Sequence, residues 1–359
     1  FYLTVKSCTP IQIGFMLSFF QLSRMFAPII WGWLADRTEK RSLWIKLTAC
    51  FGCLGFFGIF WADNFFEVFL IMMAMSIFTS STLPLAESLT LSHLATTNGH
   101  YSRIRAWGSF GFIVASFGFG FVFDLLGIQH LLVTLLITQV LIFIFSYGIP
   151  EKAYEKEKKI NLSLFNILKN KEVICLLSSC ALMVTSHGLL YNFFSIYLDE
   201  QGYSNSAIGF LWSLGVVCEI IVFLSMPKIL KFLNFKQIFM ISLFIAVIRF
   251  FIIGNYVDFL VLIILAQMMH AFTFGAFHVA SIEMVNKFFP GKNHAKGQAL
   301  YNSITYGIGG ALGGLGGGFV IQTYSASSAF LLSALFPLLG LIIVACGIKS
   351  NKINAKLFS

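Results

Sequence analysis

Charge is what this chain has least of. Asp, Glu, Lys and Arg together make up 11% of 359 residues, against 58% hydrophobic residues and a mean hydropathy of +0.85. A soluble fold of this size needs a charged surface, so the balance excludes one. Signatures of soluble enzymes are missing as well. There is no Walker loop, so ATP is not the energy source, no Gly-x-Ser-x-Gly elbow and no His-Glu-x-x-His helix, which argues against an enzyme. The seven cysteines form no disulfide framework, and the Cys50-Phe-Gly-Cys53 spacing lies in an apolar run without a Cys or His partner, so it reads as packing and not as a metal or redox site. No cofactor or metal is expected. The net charge of +9 is spread over short loops instead of lining one face, which also excludes a nucleic-acid footprint.

What is present is a series of about eleven long apolar runs without a polar face. They fall near 11–35, 43–62, 66–91, 103–123, 128–149, 173–198, 206–230, 237–254, 259–285, 297–321 and 328–348. At 1.5 Å per residue each is long enough for the roughly 30 Å hydrocarbon layer, so the reading is an all-α membrane protein. The hydrophilic segment 150–172, rich in Lys and Glu, divides the chain into an N-terminal bundle (1–149) and a C-terminal bundle (173–349), with a tail at 350–359. The chain starts at Phe1, and Phe1-Tyr2-Leu3 reads as the end of a helix. The expectation is that one further span precedes it, giving two six-helix bundles.

Basic residues fix the orientation. Of the 24 Lys and Arg, 21 fall on alternate loops (36–46, 103–105, 150–172, 228–236, 287–296 and after 348), which places those loops and the C-terminus in the cytoplasm. The first of these loops contains Gly32-Trp33-Leu34-Ala35-Asp36-Arg37-Thr38-Glu39-Lys40-Arg41. Here Gly32 is expected to let helices approach, Asp36 to pair with a cation or a helix end, and Arg37, Lys40 and Arg41 to hold the turn on the cytoplasmic side. The pattern Gly-x-x-x-Asp-Arg-x-x-Lys-Arg resembles the loop between the second and third helices of the major facilitator superfamily. The family usually has Gly where Glu39 stands, which predicts a less tight turn.

The halves repeat. Tyr2-Leu3, Ile13-Gly14-Phe15 and Ser18 match Tyr197-Leu198, Ile208-Gly209-Phe210 and Ser213 at an offset of 195. Gly111, Gly118 and Gly120-Phe121-Val122 match Gly309, Gly316 and Gly318-Phe319-Val320 at 198. Two pseudo-symmetric bundles around a midplane site are what a transporter needs. The spacings Gly309/Gly313, Gly314/Gly318, Gly111/Ala115 and Ser116/Gly120 predict close faces between helices of opposite halves, whether mobile or static.

Ionisable groups within spans are costly and point to function. Arg24 and Glu219 lie near the centres of their helices and are repeat partners at the offset of 195. They are expected to form an intramembrane charge pair, with Glu219 taking a transported proton; a fixed ion pair between halves is the plainer alternative. His187 and His270 are also central, with Tyr191 one turn from the first and Phe274 and His278 continuing the face of the second. They suit proton relay, ligand binding or simple hydrogen bonding. Trp212, Tyr191, Asn192, Tyr301, Asn302 and Thr305 are candidate cavity residues. Glu87 is placed to pair with Arg105 as a latch, Glu283 to be solvated at the cytoplasmic edge, and Arg249, off-centre on a peripheral helix, to snorkel or pack.

Three stretches narrow the resemblance: Tyr203-Ser204-Asn205-Ser206-Ala207-Ile208-Gly209-Phe210-Leu211-Trp212-Ser213-Leu214-Gly215-Val216-Val217-Cys218-Glu219, Arg103-Ile104-Arg105-Ala106-Trp107-Gly108-Ser109, and His270-Ala271-Phe272-Thr273-Phe274-Gly275-Ala276-Phe277-His278. They look like the phenylpropionate permease-like proton symporters, related to nucleoside and oligosaccharide symporters. The resemblance implies an Arg at Arg24, acids at Glu87 and Glu219 and histidines at His270 and His278 in functional positions, and uptake of a small aromatic carboxylate with a proton. The expected partners are therefore a small-molecule substrate, protons and the lipid bilayer of a bacterial inner membrane, with the protein a monomer. A nucleoside or sugar symporter, an efflux antiporter and a non-transporting membrane sensor are the alternatives.

Overall fold

The computed structural model describes residues 8–94, 101–151, 169–289 and 294–348. All regular elements among them are helical. Eleven are long and apolar enough to cross a membrane: α1 (Pro10–Thr38), α2 (Arg41–Trp61), α3 (Phe65–Leu94), α4 (Tyr101–Leu126), α5 (Ile128–Ser146), α6 (Lys171–Glu200), α7 (Asn205–Ile229), α8 (Phe235–Asn255), α9 (Leu260–Phe288), α10 (Lys296–Thr323) and α11 (Ala326–Gly347). They match the apolar runs one for one, which makes this a multi-pass membrane protein. The expected helix end at 1–3, most of the charged linker (152–168) and the tail lie outside the described residues.

Polar residues at the ends set the helix boundaries. Thr9 and Gln12 form a capping box on α1, Asn234 and Gln237 another on α8, and Ser204 caps α7. Only Glu39 and Lys40 separate α1 from α2, with Glu39 in the left-handed region at φ 56°. The turn is thus as short as a glycine turn, and the expectation of a looser one fails: glutamate adopts the strained conformation itself. Arg41 Nη2 donates to Asp36 Oδ1 at 2.9 Å and its Nη1 to Ser92 Oγ at 3.2 Å, while Arg37 lies over the Trp33 ring. At the start of α2, Ser42 N–H donates to Glu151 Oε2 at 2.8 Å, and its hydroxyl donates to the Ile149 carbonyl. Among the described residues a Cβ added at Gly32 would meet nothing within 4 Å.

The chain forms two compact units, Phe1–Phe112 with Val122–Lys158, and Ile113–Phe121 with Lys159–Ser359. The division differs from a cut at the linker because 113–121 packs with the second unit: a Cβ on Gly120 would lie 2.6 Å from the Asn205 carbonyl oxygen. In the first unit Ala35, Ile45, Leu85 and Leu89 form a core with Trp31, Trp44, Ala86 and Ile149 around them. The second unit is built around α6, the most enclosed span. Its Gly188 faces α10 closely enough for a Cβ to lie 2.6 Å from the Gly310 carbonyl oxygen and 3.2 Å from the Gly313 Cα. Gly309 meets Ala181 of α6 in the same way. The Gly309/Gly313 face therefore packs inside one unit, not between helices of opposite halves as the spacing suggested. Two spans contain π turns, Ala271–Ala276 in α9 and Ser303–Gly309 in α10.

Candidate functional site

The second unit gathers most of the residues singled out in the sequence, around one expected only to snorkel or pack. Arg249 of α8 has no exposed surface. It occupies the buried stripe of that helix with Ser242, Ala246 and Ile253, so it neither snorkels nor faces lipid. Its Nε donates to the Ala266 carbonyl at 2.8 Å and its Nη2 to Gln267 Oε1 at 2.8 Å. Its Nη1 lies 3.0 Å from Thr273 Oγ1, 3.1 Å from His270 Nδ1 and 3.3 Å from His187 Nε2. Among the described residues no carboxylate pairs with it. A buried guanidinium needs its hydrogens matched, and here neutral acceptors from α6 and α9 supply the match. The sequence signal was present: an Arg in phase with small residues on an apolar helix sits on the packing side.

Both histidines are held by this cation. His187, 1% exposed, places Nδ1 3.0 Å from the Met183 carbonyl, which only accepts, so that nitrogen carries the hydrogen. Its Nε2 is then the acceptor facing Arg249 and, at 3.3 Å, the Thr273 hydroxyl. For His270 the order is reversed, because Nδ1 faces the Arg249 donor and the hydrogen resides on Nε2.

A wall of rings extends from this cluster. Tyr191 stacks on Trp212 at 5.9 Å and stands edge-on to His270. His270 stacks on Phe274 at 5.3 Å, and Phe274 on His278 at 6.0 Å. His278 Nδ1 is 3.1 Å from the Tyr306 hydroxyl of α10. Tyr191 is 39% exposed, so the wall has a free face. Trp212 is fixed by its Nε1–H donating to Ser195 Oγ at 2.9 Å.

Glycines let the acid and an imidazole into this packing. Gly215, one turn along α7 from Trp212, leaves room for His270, whose Cδ2 would be 3.4 Å from a Cβ there. Gly275 of the π turn does the same for Glu219, with the Glu219 Cγ 3.0 Å from where its Cβ would be. Gly215 and Glu219 of α7 thus lie against α9, while Trp212, one turn before Gly215, packs on α6. His187, His270, His278, Tyr191, Trp212 and Glu219 are thus brought together in the second unit. The described residues hold no group of three or more His, Cys, Asp or Glu placed to bind a metal.

Arg24 belongs to the first unit. It is exposed, lies over the Phe20 ring, reaches Gln21 Oε1 at 3.4 Å and lines a cavity of about 710 Å³ with residues of α1, α2, α3 and α5, among them Thr79, Thr82 and Gln139. By the repeat, those helices correspond to α7, α8, α9 and α11, which pack around α6 in the second unit. Glu87 is half-buried, and the side chain of Arg105, its expected partner, lies outside the described residues.

Comparison with known proteins follows the same lines. A family model described as "MFS_1 like family" matches residues 1–332. The chain is 28% identical to "Probable 3-phenylpropionic acid transporter" of Escherichia coli (strain K12), over 92% of this chain and 87% of that protein. It is 25% identical to "Uncharacterized transporter YwbF" of Bacillus subtilis (strain 168), over 95% and 86% respectively. The crystal structure of nucleoside transporter NupG superposes with a TM-score of 0.84 at 19% identity, covering 97% of this chain and 92% of that one.

Proposed function

The chain belongs to the MFS_1 like family and is a transporter with the major facilitator fold, and from that premise we propose that it carries a small aromatic carboxylate across the bacterial inner membrane together with a proton. The observation behind the substrate class is the pairing of a stacked ring wall with a buried cation that no carboxylate among the described residues neutralises. Ring faces accept a planar solute, and a donor-rich, electropositive surround favours an anion. The relative named for 3-phenylpropionic acid supports the same class. A nucleoside is the second reading, because a base also stacks on Tyr191 and Trp212, but a neutral sugar-base makes no use of the uncompensated charge.

In this reading Glu219 carries the proton, being the acid that faces the π turn beside the ring wall. An acid in an apolar surround can hold a proton at neutral pH and release it when its surroundings change. Arg24, its repeat partner by sequence, is the counter-charge that this scheme assigns to the first unit. The Gly32–Arg41 loop and Glu87 are proposed to act on the cytoplasmic side as gating or structural elements, with the C-terminus cytoplasmic and the protein a monomer. Access alternates by rocking of the two bundles.

The test is substrate-induced alkalinisation in proteoliposomes. Symport predicts proton uptake with 3-phenylpropionate and little with uridine or maltose. Glu219→Gln is expected to abolish accumulation against a gradient while exchange continues. Accumulation that survives the substitution removes Glu219 from the coupling, and binding without flux favours a sensor.

A further inference from the structure

One nitrogen of Arg249 meets more acceptors than it can satisfy. Nη1 has two hydrogens and three neighbours within 3.3 Å: Thr273 Oγ1, His270 Nδ1 and His187 Nε2. Thr273 relieves the excess, since its own hydroxyl hydrogen can turn toward His187 Nε2 at 3.3 Å. This arrangement works only if both imidazoles present a lone pair to the cation. Protonating either would set an N–H against the guanidinium N–H groups and a second positive charge about 3 Å away within a buried cluster.

We propose that Arg249 is a positioning residue that locks His187 as its Nδ1–H tautomer and His270 as its Nε2–H tautomer, keeping both neutral and leaving the His270 Nε2–H as a fixed donor to the substrate. That donor makes no hydrogen bond among the described residues, and His270 retains 7% exposure beside the free face of Tyr191. The histidines are thereby withdrawn from proton traffic, although their position alone suggests a relay. The other titratable groups facing the cluster are Tyr191 from α6, Glu219 from α7, His278 from α9 and Tyr306 from α10.

The role of the donor rests on the transport reading above; the lock itself does not, and the experiment separates them. Nitrogen NMR of ¹⁵N-histidine-labelled protein in micelles, with His187→Asn and His270→Asn for assignment, reads the tautomers directly. The lock predicts one Nδ1–H and one Nε2–H imidazole, unchanged between about pH 5 and 8, the interval in which an unperturbed histidine titrates. An imidazolium at either position within that interval, or mixed tautomers, overturns it whether or not the protein transports anything. Arg249→Gln is expected to free both rings, so that a histidine titration appears in the NMR and in the pH profile of uptake, and to weaken 3-phenylpropionate binding by about tenfold through loss of the oriented donor. Arg249→Lys, which keeps a cation and donors, is expected to restore part of both. If Arg249→Gln folds and leaves tautomers and pH profile unchanged, the lock is refuted. If it does not fold, the titration of the unsubstituted protein decides.

Discussion

Gly188 offers a sharp test of how the second unit is packed. A methyl group added there would come 2.6 Å from the carbonyl oxygen of Gly310, with the Cα atoms of Gly310 and Gly313 at 3.2 Å. Ordinary contact begins near 3.4 Å, so α6 and α10 would have to part by roughly 0.8 Å. All three obstacles are backbone atoms, which have no rotamer to change. Overpacking of this kind costs about 1–3 kcal/mol, and rigid partners on every side put it near 3. The better helix propensity of alanine returns about 1 kcal/mol. Gly188→Ala is therefore expected to destabilise by about 2 kcal/mol, roughly a thirty-fold shift in the folded-to-unfolded ratio. Among the described residues Gly316, on the facing helix, meets nothing within 4 Å, so Gly316→Ala carries only the propensity term and should be neutral or stabilising by up to about 1 kcal/mol. Reversible unfolding in mixed micelles, titrated with a denaturing detergent and followed by tryptophan fluorescence, measures both. Equal effects of the two substitutions would refute the close crossing.

Two further outcomes follow from the α1–α2 turn. Glu39→Gly relieves a left-handed conformation that costs a non-glycine residue about 1 kcal/mol, so the same unfolding assay is expected to show a gain of a few tenths to about 1 kcal/mol. Glu151→Ala removes the carboxylate that accepts the Ser42 N–H at the start of α2 and is expected to cost about 1 kcal/mol, with faster hydrogen exchange confined to the first turn of that helix.

The spans were legible because lipid demands an unbroken apolar run, and nothing else in the chain resembles one. Their ends were legible to within a few residues through caps such as Thr9 and Asn234. The association of His187, His270, Tyr191, Trp212 and Glu219 within one unit was only partly so, since depth along a span is readable but the facing direction is not. For Arg249 depth left snorkelling and packing both open, and the phase it shares with Ser242 and Ala246 agrees with packing. The tautomers were beyond reach, because they depend on distances between three helices. Gly32 and Gly309/Gly313 show the limit of motif reasoning. The same small residue marks a tight crossing in one place and open space in another.

The ring column of α9 depends on residue count as much as on ring chemistry. In a straight α-helix, eight residues turn through about 800°, which would leave His278 some 80° out of line with His270. Yet the rings run in one column, with centroids 5.3 Å apart from His270 to Phe274 and 6.0 Å from Phe274 to His278. The wide π turn at Ala271–Ala276 takes up the excess rotation. Deleting one residue there would restore normal pitch and leave His278 seven residues from His270, about 700° around the axis and only some 20° out of line. The π turn is therefore what lets a spacing of eight residues do what a straight helix does with seven.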